Sequence, residues 1–116
     1  VTSPAVSSRD LPHPGRDEIR LEGVLHALSD PVRLRIVREL AAVTGELSCS
    51  HFDLPVTKST TTHHFRVLRE SGVIRQVYRG TAKMNGLRRE DLEGLFPGLL
   101  DVLLDAAGRQ AGRSGG

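Results

Sequence analysis

Thr57-Lys58-Ser59-Thr60-Thr61-Thr62-His63-His64-Phe65-Arg66-Val67-Leu68-Arg69-Glu70-Ser71-Gly72-Val73-Ile74 is a helix-length run with its own start and stop signals. It opens on a hydroxyl residue able to cap a helix and closes on Gly72, a residue suited to the left-handed turn that ends one. Between them Thr61, Phe65 and Leu68 recur at helical spacing, a thin apolar seam among hydroxyl, imidazole and guanidinium side chains. Such a helix packs with one face and leaves the others free to bond base edges in a groove. The pattern predicts a DNA-reading helix from Thr57 to Ser71.

Toward the N-terminus, Leu21, Val24, Leu25 and Leu28 give an amphipathic helix from about Asp17 to Leu28. Asp30 and Pro31 are an N-cap and a first helical residue, so a second helix runs to about Ala42 with Val32, Ile36, Val37 and Leu40 inward. Gly45 breaks it, and Ser48 to Phe52 predicts a turn or two of helix before Leu54-Pro55. Beyond Gly72 the period changes to alternation through Val73–Tyr78 and again through Lys83–Gly86, with Arg79–Ala82 between: a hairpin with basic edges, placed to touch the sugar-phosphate backbone as a wing. A last helical stretch, about Arg89 to Ala107, is interrupted near Pro97-Gly98.

The expected class is therefore mainly α with a small β-hairpin wing (α+β), a winged helix-turn-helix of order ααααββα. Residues 17–107 form the domain. Residues 1–16, which hold Pro4, Pro12 and Pro14, and residues 108–116, nearly free of apolar side chains, are expected to be disordered tails. A domain this short gains from burying apolar surface in a second copy. Leu21, Val24 and Leu25 on the first helix, with Leu92, Leu95, Phe96, Leu99 and Leu103 on the last, are the candidate homodimer face. The alternative for the last helix is packing on its own core.

Charge is uneven. From Lys58 to Arg89 eight basic residues stand against one acid, a net of +7 in a chain whose total is +2. That concentration suits a polyanion, because each neutralised phosphate releases counterions. The expected DNA contacts are Lys58, Ser59, Thr60, Thr62, His63 and Arg66 on the helix and Arg75, Arg79 and Lys83 on the wing. Adjacent helical residues point about 100° apart, so His63 and His64 cannot both face a groove, and His64 is expected to pack against the preceding helix. His26 has no partner at a telling spacing and is assigned no chemistry.

Other classes find little support. With no Trp and one Tyr, the chain cannot spare rings for a single-strand stacking platform. No nucleophile–base pair, phosphate-cradling glycine loop or metal triad argues for an enzyme. Cys49 is the only cysteine, so an intrachain disulfide framework is excluded, and no apolar run of membrane-spanning length occurs. A cytoplasmic setting without membrane insertion is expected.

Leu28-Ser29-Asp30-Pro31-Val32-Arg33-Leu34-Arg35-Ile36-Val37 and the run from Thr62 to Ile74, in this order and spacing, resemble two signatures of the ArsR/SmtB family of bacterial winged helix-turn-helix regulators. The resemblance spans about Glu18 to Leu104. It implies a dimeric transcription factor that reads a two-fold symmetric operator through the helix from Thr57, with the first and last helices forming the dimer face. A winged-helix protein-interaction module without DNA binding is the alternative, against which the basic wing counts.

Many members of that family sense metals through a Cys-x-Cys pair. Here those positions fall on Ser48 and Ser50, with Cys49 between them. Asp101 and Asp105 on the last helix have no histidine to complete the family's other site. Cys49 and His51, joined by His13 or by a second subunit, are the remaining candidates for a mixed nickel or zinc site, which would make this a metal-responsive regulator. Otherwise Cys49 is a small buried hydrophobe, and the effector is an organic ligand or a co-regulator protein.

Overall fold

Asp30 and Thr57 start the two central helices as their positions in the sequence require. In the computed structural model, which describes residues 11–113, Asp30 Oδ2 accepts from Val32 N at 2.8 Å and Arg33 N at 3.1 Å, with Pro31 in the first helical position. Thr57 Oγ1 accepts from Thr60 N at 3.3 Å. The helices they cap are α2 (Pro31–Ala41) and α3 (Lys58–Glu70). Around them lie α1 (Leu21–Ala27), β1 (Leu47–Ser48), β2 (Ile74–Arg79), β3 (Ala82–Leu87), α4 (Arg89–Leu95) and α5 (Leu99–Arg113).

The strands form one antiparallel sheet in the order β1-β3-β2. β2 and β3 make the wing, in register from Ile74 opposite Leu87 to Arg79 opposite Ala82, with a tight turn at Gly80-Thr81. Val24, Ile36, Val37, Leu40, Phe65, Leu68, Val73, Ile74, Leu92 and Leu100 are buried in one core that joins all five helices to the wing. Gly72 closes α3 at φ 87°, where Val73 N reaches back to Leu68 O at 3.0 Å. A Cβ at Gly72 would lie 2.5 Å from Ile19 Cγ1, so this turn needs glycine for its backbone angle and for the space.

Several boundaries differ from the sequence reading, each for a local reason. The first helix starts at Leu21 rather than near Asp17. Ile19 is extended (ψ 125°) and buried against Gly72, which separates a 3-10 turn at Arg16–Glu18 from α1. Ser48–Phe52, expected as helix, is a strand residue followed by a single 3-10 turn at Cys49–His51. Leu47 and Ser48 pair with Asn85 and Met84, and two residues carry no readable period. The last helical stretch is two helices, parted where Gly98 takes φ 80° and Glu93 accepts from its N–H. The second of these continues through residues 108–113, supported by buried Ala107 and by the Asp105–Arg109 pair at 2.9 Å. Residues 11–16 also reach the fold: Gln76 N donates to His13 Nε2 at 2.9 Å and Arg88 Nη1 to Pro14 O at 2.9 Å. The rest of the expected tails, residues 1–10 and 114–116, lie outside the described residues.

Candidate nucleic-acid interface

The seam of α3 anchors it and leaves an ordered outer face. His64, Phe65 and Leu68 are buried, while Ser59, Thr62, His63 and Arg66, at i, i+3, i+4 and i+7, are exposed together with Lys58. Thr60 is half-buried, its hydroxyl taking a hydrogen bond from Thr57 Oγ1 at 2.9 Å, so of the candidate contacts on the helix it is the least available. Thr62 Oγ1 donates to Lys58 O at 3.1 Å. Its proton is thereby used within the helix, leaving a methyl group and lone pairs for an outside partner.

His64 turns inward, as the 100° step demands. Its Nδ1 lies 3.1 Å from Arg33 Nη1 and 3.9 Å from Asp30 Oδ2. Arg33 is itself buried and donates through Nε to Ala27 O at 2.7 Å and through Nη2 to His26 O at 3.3 Å. One guanidinium thus fastens the end of α1 and the start of α2 to α3. Burial holds His64 below the usual histidine pKa, Asp30 opposes that, and Arg33 and His63 add to it. Nothing in the helical periodicity marked Arg33 for this role.

The wing divides the candidate contacts between its two faces. Alternation places Lys83 on the face that also carries Gln76, Tyr78 and Asn85, and it sends Arg75, Val77 and Arg79 to the other. Lys83 lies over the Tyr78 ring, 5.9 Å from its centroid, beside the start of α3. Arg79 is held by both oxygens of Glu46 at 2.8 Å, a contact that also draws the Glu46 carboxyl below its ordinary pKa. Arg75 is exposed on Arg79's side of the sheet. The sequence reading grouped all three on the wing; the side of Lys83 is set by its pairing opposite Tyr78, and the place of Glu46 by the pairing of β1 with β3.

Behind this surface a chain of buried amides ties α3 to the sheet. Arg69 Nη1 donates to Gln76 Oε1 at 2.7 Å, Gln76 Nε2 to Asn85 Oδ1 at 2.8 Å, and Asn85 Nδ2 to Leu47 O at 3.1 Å and Cys49 Sγ at 3.2 Å. The angle between helix and wing is therefore fixed by hydrogen bonds as well as by packing.

The same contacts bear on the metal candidates. Cys49 and His51 share a turn, but the thiol points to Asn85 while His51 Nε2 lies 3.4 Å from Glu39 on α2 and its ring stands edge-on to Phe52. His13 Nε2 accepts from the sheet instead. Among the described residues no three His, Cys, Asp or Glu side chains are grouped to hold an ion. Within one chain Cys49, His51 and His13 thus each face a different protein partner.

A family model described as a helix-turn-helix domain matches residues 28–77. The chain is 35% identical over 89 residues to the uncharacterized HTH-type transcriptional regulator YceK of Bacillus subtilis (strain 168), covering 75% of this chain and 88% of that protein. It is similar in structure to an ArsR-like transcriptional regulator from Rhodococcus sp. RHA1, with 26% identity, a TM-score of 0.57 and coverage of 79% of this chain and 87% of that one. The chain belongs to the ArsR/SmtB family. The transcriptional repressor BigR from Xylella fastidiosa is also similar, with 26% identity, a TM-score of 0.53 and coverage of 66% and 85% of the two chains. An ArsR/SmtB protein is a winged helix-turn-helix transcriptional regulator and not an enzyme. Among the described residues, no helix is long and apolar enough to cross a membrane.

Proposed function

We propose that this regulator binds duplex DNA as a homodimer, with α3 of each copy in the major groove of one half of a two-fold symmetric operator. The observation that carries the reading is the outward row Ser59, Thr62, His63 and Arg66, a set of short and long polar groups on one helical face with Lys58 and Lys83 beside it. Ser59, Thr62 and His63 suit base edges, whereas Lys58, Arg66 and Lys83 suit phosphates or guanine. Arg75 and Arg79 extend the positive surface on the far side of the wing.

The homodimer is supported by apolar side chains left in water. Leu21 and Leu25 on α1 are each 43% exposed and Val102 on α5 is 66% exposed. Of the face expected from sequence, Val24 and Leu92 are buried within the protomer, while Leu95, Phe96, Leu99 and Leu103 are half-buried at its edge. Leu21, Leu25 and Val102 are the better contacts.

Selection from a random duplex library, followed by footprinting, tests both claims. The expected result is a palindromic site whose half-sites lie about one helical turn apart. Enrichment of an asymmetric site, or of none, would contradict the reading.

A further inference from the structure

Beside the outer row of α3 the surface hollows into a half-open cavity of about 520 Å³ between the Cys49–His51 turn, the segment leading to Thr57, α3 and β3. Its lining mixes apolar side chains with the polar groups of Ser50, Thr61 and Thr62. Phe52 and Phe65 are buried and stand edge-to-face at 5.4 Å, and Leu54 and Val56 close one side. Its mouth is cationic, carrying Lys58 from α3 and Lys83 from the wing. Neither lysine has a carboxylate partner among the described residues, and Asp53 is the single acid in the lining, which leaves a net charge of +1.

We propose that this cavity binds a small amphipathic carboxylate and that its occupancy excludes DNA. The volume lies in the range of ligand pockets, and phenyl and branched aliphatic groups combined with placed polar groups are a usual lining of such sites. Two ammonium groups against one carboxylate match a monoanion. A DNA phosphodiester would satisfy Lys58 and Lys83 but offers nothing to Phe52, Leu54, Val56 and Phe65. An aryl- or alkyl-carboxylate satisfies both ends.

The cavity shares Lys58, Thr62 and Lys83 with the surface assigned to DNA. A bound carboxylate would neutralise the two cations and stand beside Thr62, so ligand and duplex compete for the same groups, and the ligand relieves DNA binding without a change of fold. This inference rests on the DNA reading above.

Cys49, the only cysteine of the chain, lines the same cavity and makes its occupancy measurable. The experiment follows alkylation of Cys49 by iodoacetamide in the full chain, with 4-phenylbutyrate and octanoate as probes and their neutral amides as controls. In parallel, the duplex recovered by selection is monitored by anisotropy. Saturating carboxylate should slow alkylation by roughly tenfold and displace the duplex, and the amides should do neither. Lys83→Met, which keeps the aliphatic stem, should remove the protection while the thermal transition confirms an intact fold. No protection by either carboxylate, equal protection by the amides, or protection that survives Lys83→Met and Lys58→Met would overturn the site. Protection without release of duplex would overturn the competition. A chain that binds no duplex under any condition would defeat the DNA reading, while the alkylation rates still decide the cavity.

Discussion

Nη1 of Arg33 on α2 lies 3.1 Å from Nδ1 of His64 on α3, with both side chains buried. Arg33 can only donate, so the imidazole must accept at Nδ1 and stay neutral for the contact to hold. Burial depresses the pKa of His64, and it does the same at His13, where Arg75, Arg69 and Arg88 add to the effect and a hydrogen bond with the Leu11 backbone opposes it. Below about pH 6.5 the unfolded chain therefore binds protons that the folded chain refuses, and stability must fall as pH is lowered through that window. Thermal unfolding between about pH 7.5 and 5.5 should show this loss, and His64→Gln combined with His13→Gln should flatten it. A transition temperature independent of pH in the wild type would refute the coupling.

On the proposed reading, the outer face of α3 makes two kinds of contact. Thr62→Ala should weaken the selected operator by roughly 1–3 kcal/mol if its methyl or lone pairs meet a base edge, with little change on random duplex. Arg66→Ala should weaken both and reduce the salt slope by about one. Equal losses on specific and random DNA for both variants would remove the distinction between reading and anchoring on this helix.

Arg79 is expected to contribute less to DNA binding than its place on a basic wing suggests, because both Glu46 oxygens already hold its guanidinium at 2.8 Å. The pair is solvent-exposed and should matter little to stability. Arg79→Ala should thus change duplex affinity less than Lys83→Met, whereas Glu46→Gln should raise affinity and steepen its salt dependence by releasing a cation. If Arg79→Ala costs as much as Lys83→Met, the Glu46 clamp opens on DNA and the two wing faces act together.

The division between legible and illegible parts of the molecule follows the range of the interactions concerned. Caps, seams and the glycine stop of α3 are set by residues within a few positions of one another, and Asp30, Thr57 and Gly72 act as their local chemistry dictates. The outer row of α3 was legible for the same reason. β1 was not, since Leu47 and Ser48 become a strand only when β3 supplies Asn85 and Met84 from far along the chain. The roles of Arg33, Glu46 and the Arg69–Gln76–Asn85 chain were hidden likewise, because each depends on a tertiary neighbour. The helix through 108–113 was missed because its glycines and few apolar residues signal a tail, while Ala107 and the Asp105–Arg109 pair support one more stretch of helix.

Gly72→Ala separates two costs that usually occur together. At φ 87° an alanine loses roughly 1–2 kcal/mol to the left-handed backbone, and its Cβ also meets Ile19 Cγ1 at 2.5 Å. Gly80 has φ 65° but open space where a Cβ would stand, with nothing within 4 Å. Gly80→Ala should therefore show the backbone cost alone and Gly72→Ala a clearly larger loss of thermal stability. Equal losses would mean that Ile19 moves aside freely.

Neighbouring positions on α1 differ sharply in burial. Consecutive residues on α1 point about 100° apart, so buried Val24 and exposed Leu25 serve different contacts although they are neighbours. Val24→Glu would place a charge in the protomer core and unfold the chain, which would say nothing about association. Leu25→Glu and Val102→Glu change side chains already in water, so the folded monomer should survive while a self-complementary apolar contact is lost. Sedimentation should then give a dimer for the wild type and monomers for both variants, with unchanged helical circular dichroism. On DNA these monomers should retain weak half-site binding and lose the gain that comes from linking two reading helices, a drop of roughly a hundredfold or more on the full operator. A wild-type chain that sediments as a monomer at micromolar concentration would remove the dimer, and variants that still dimerise would place the contact away from Leu25 and Val102.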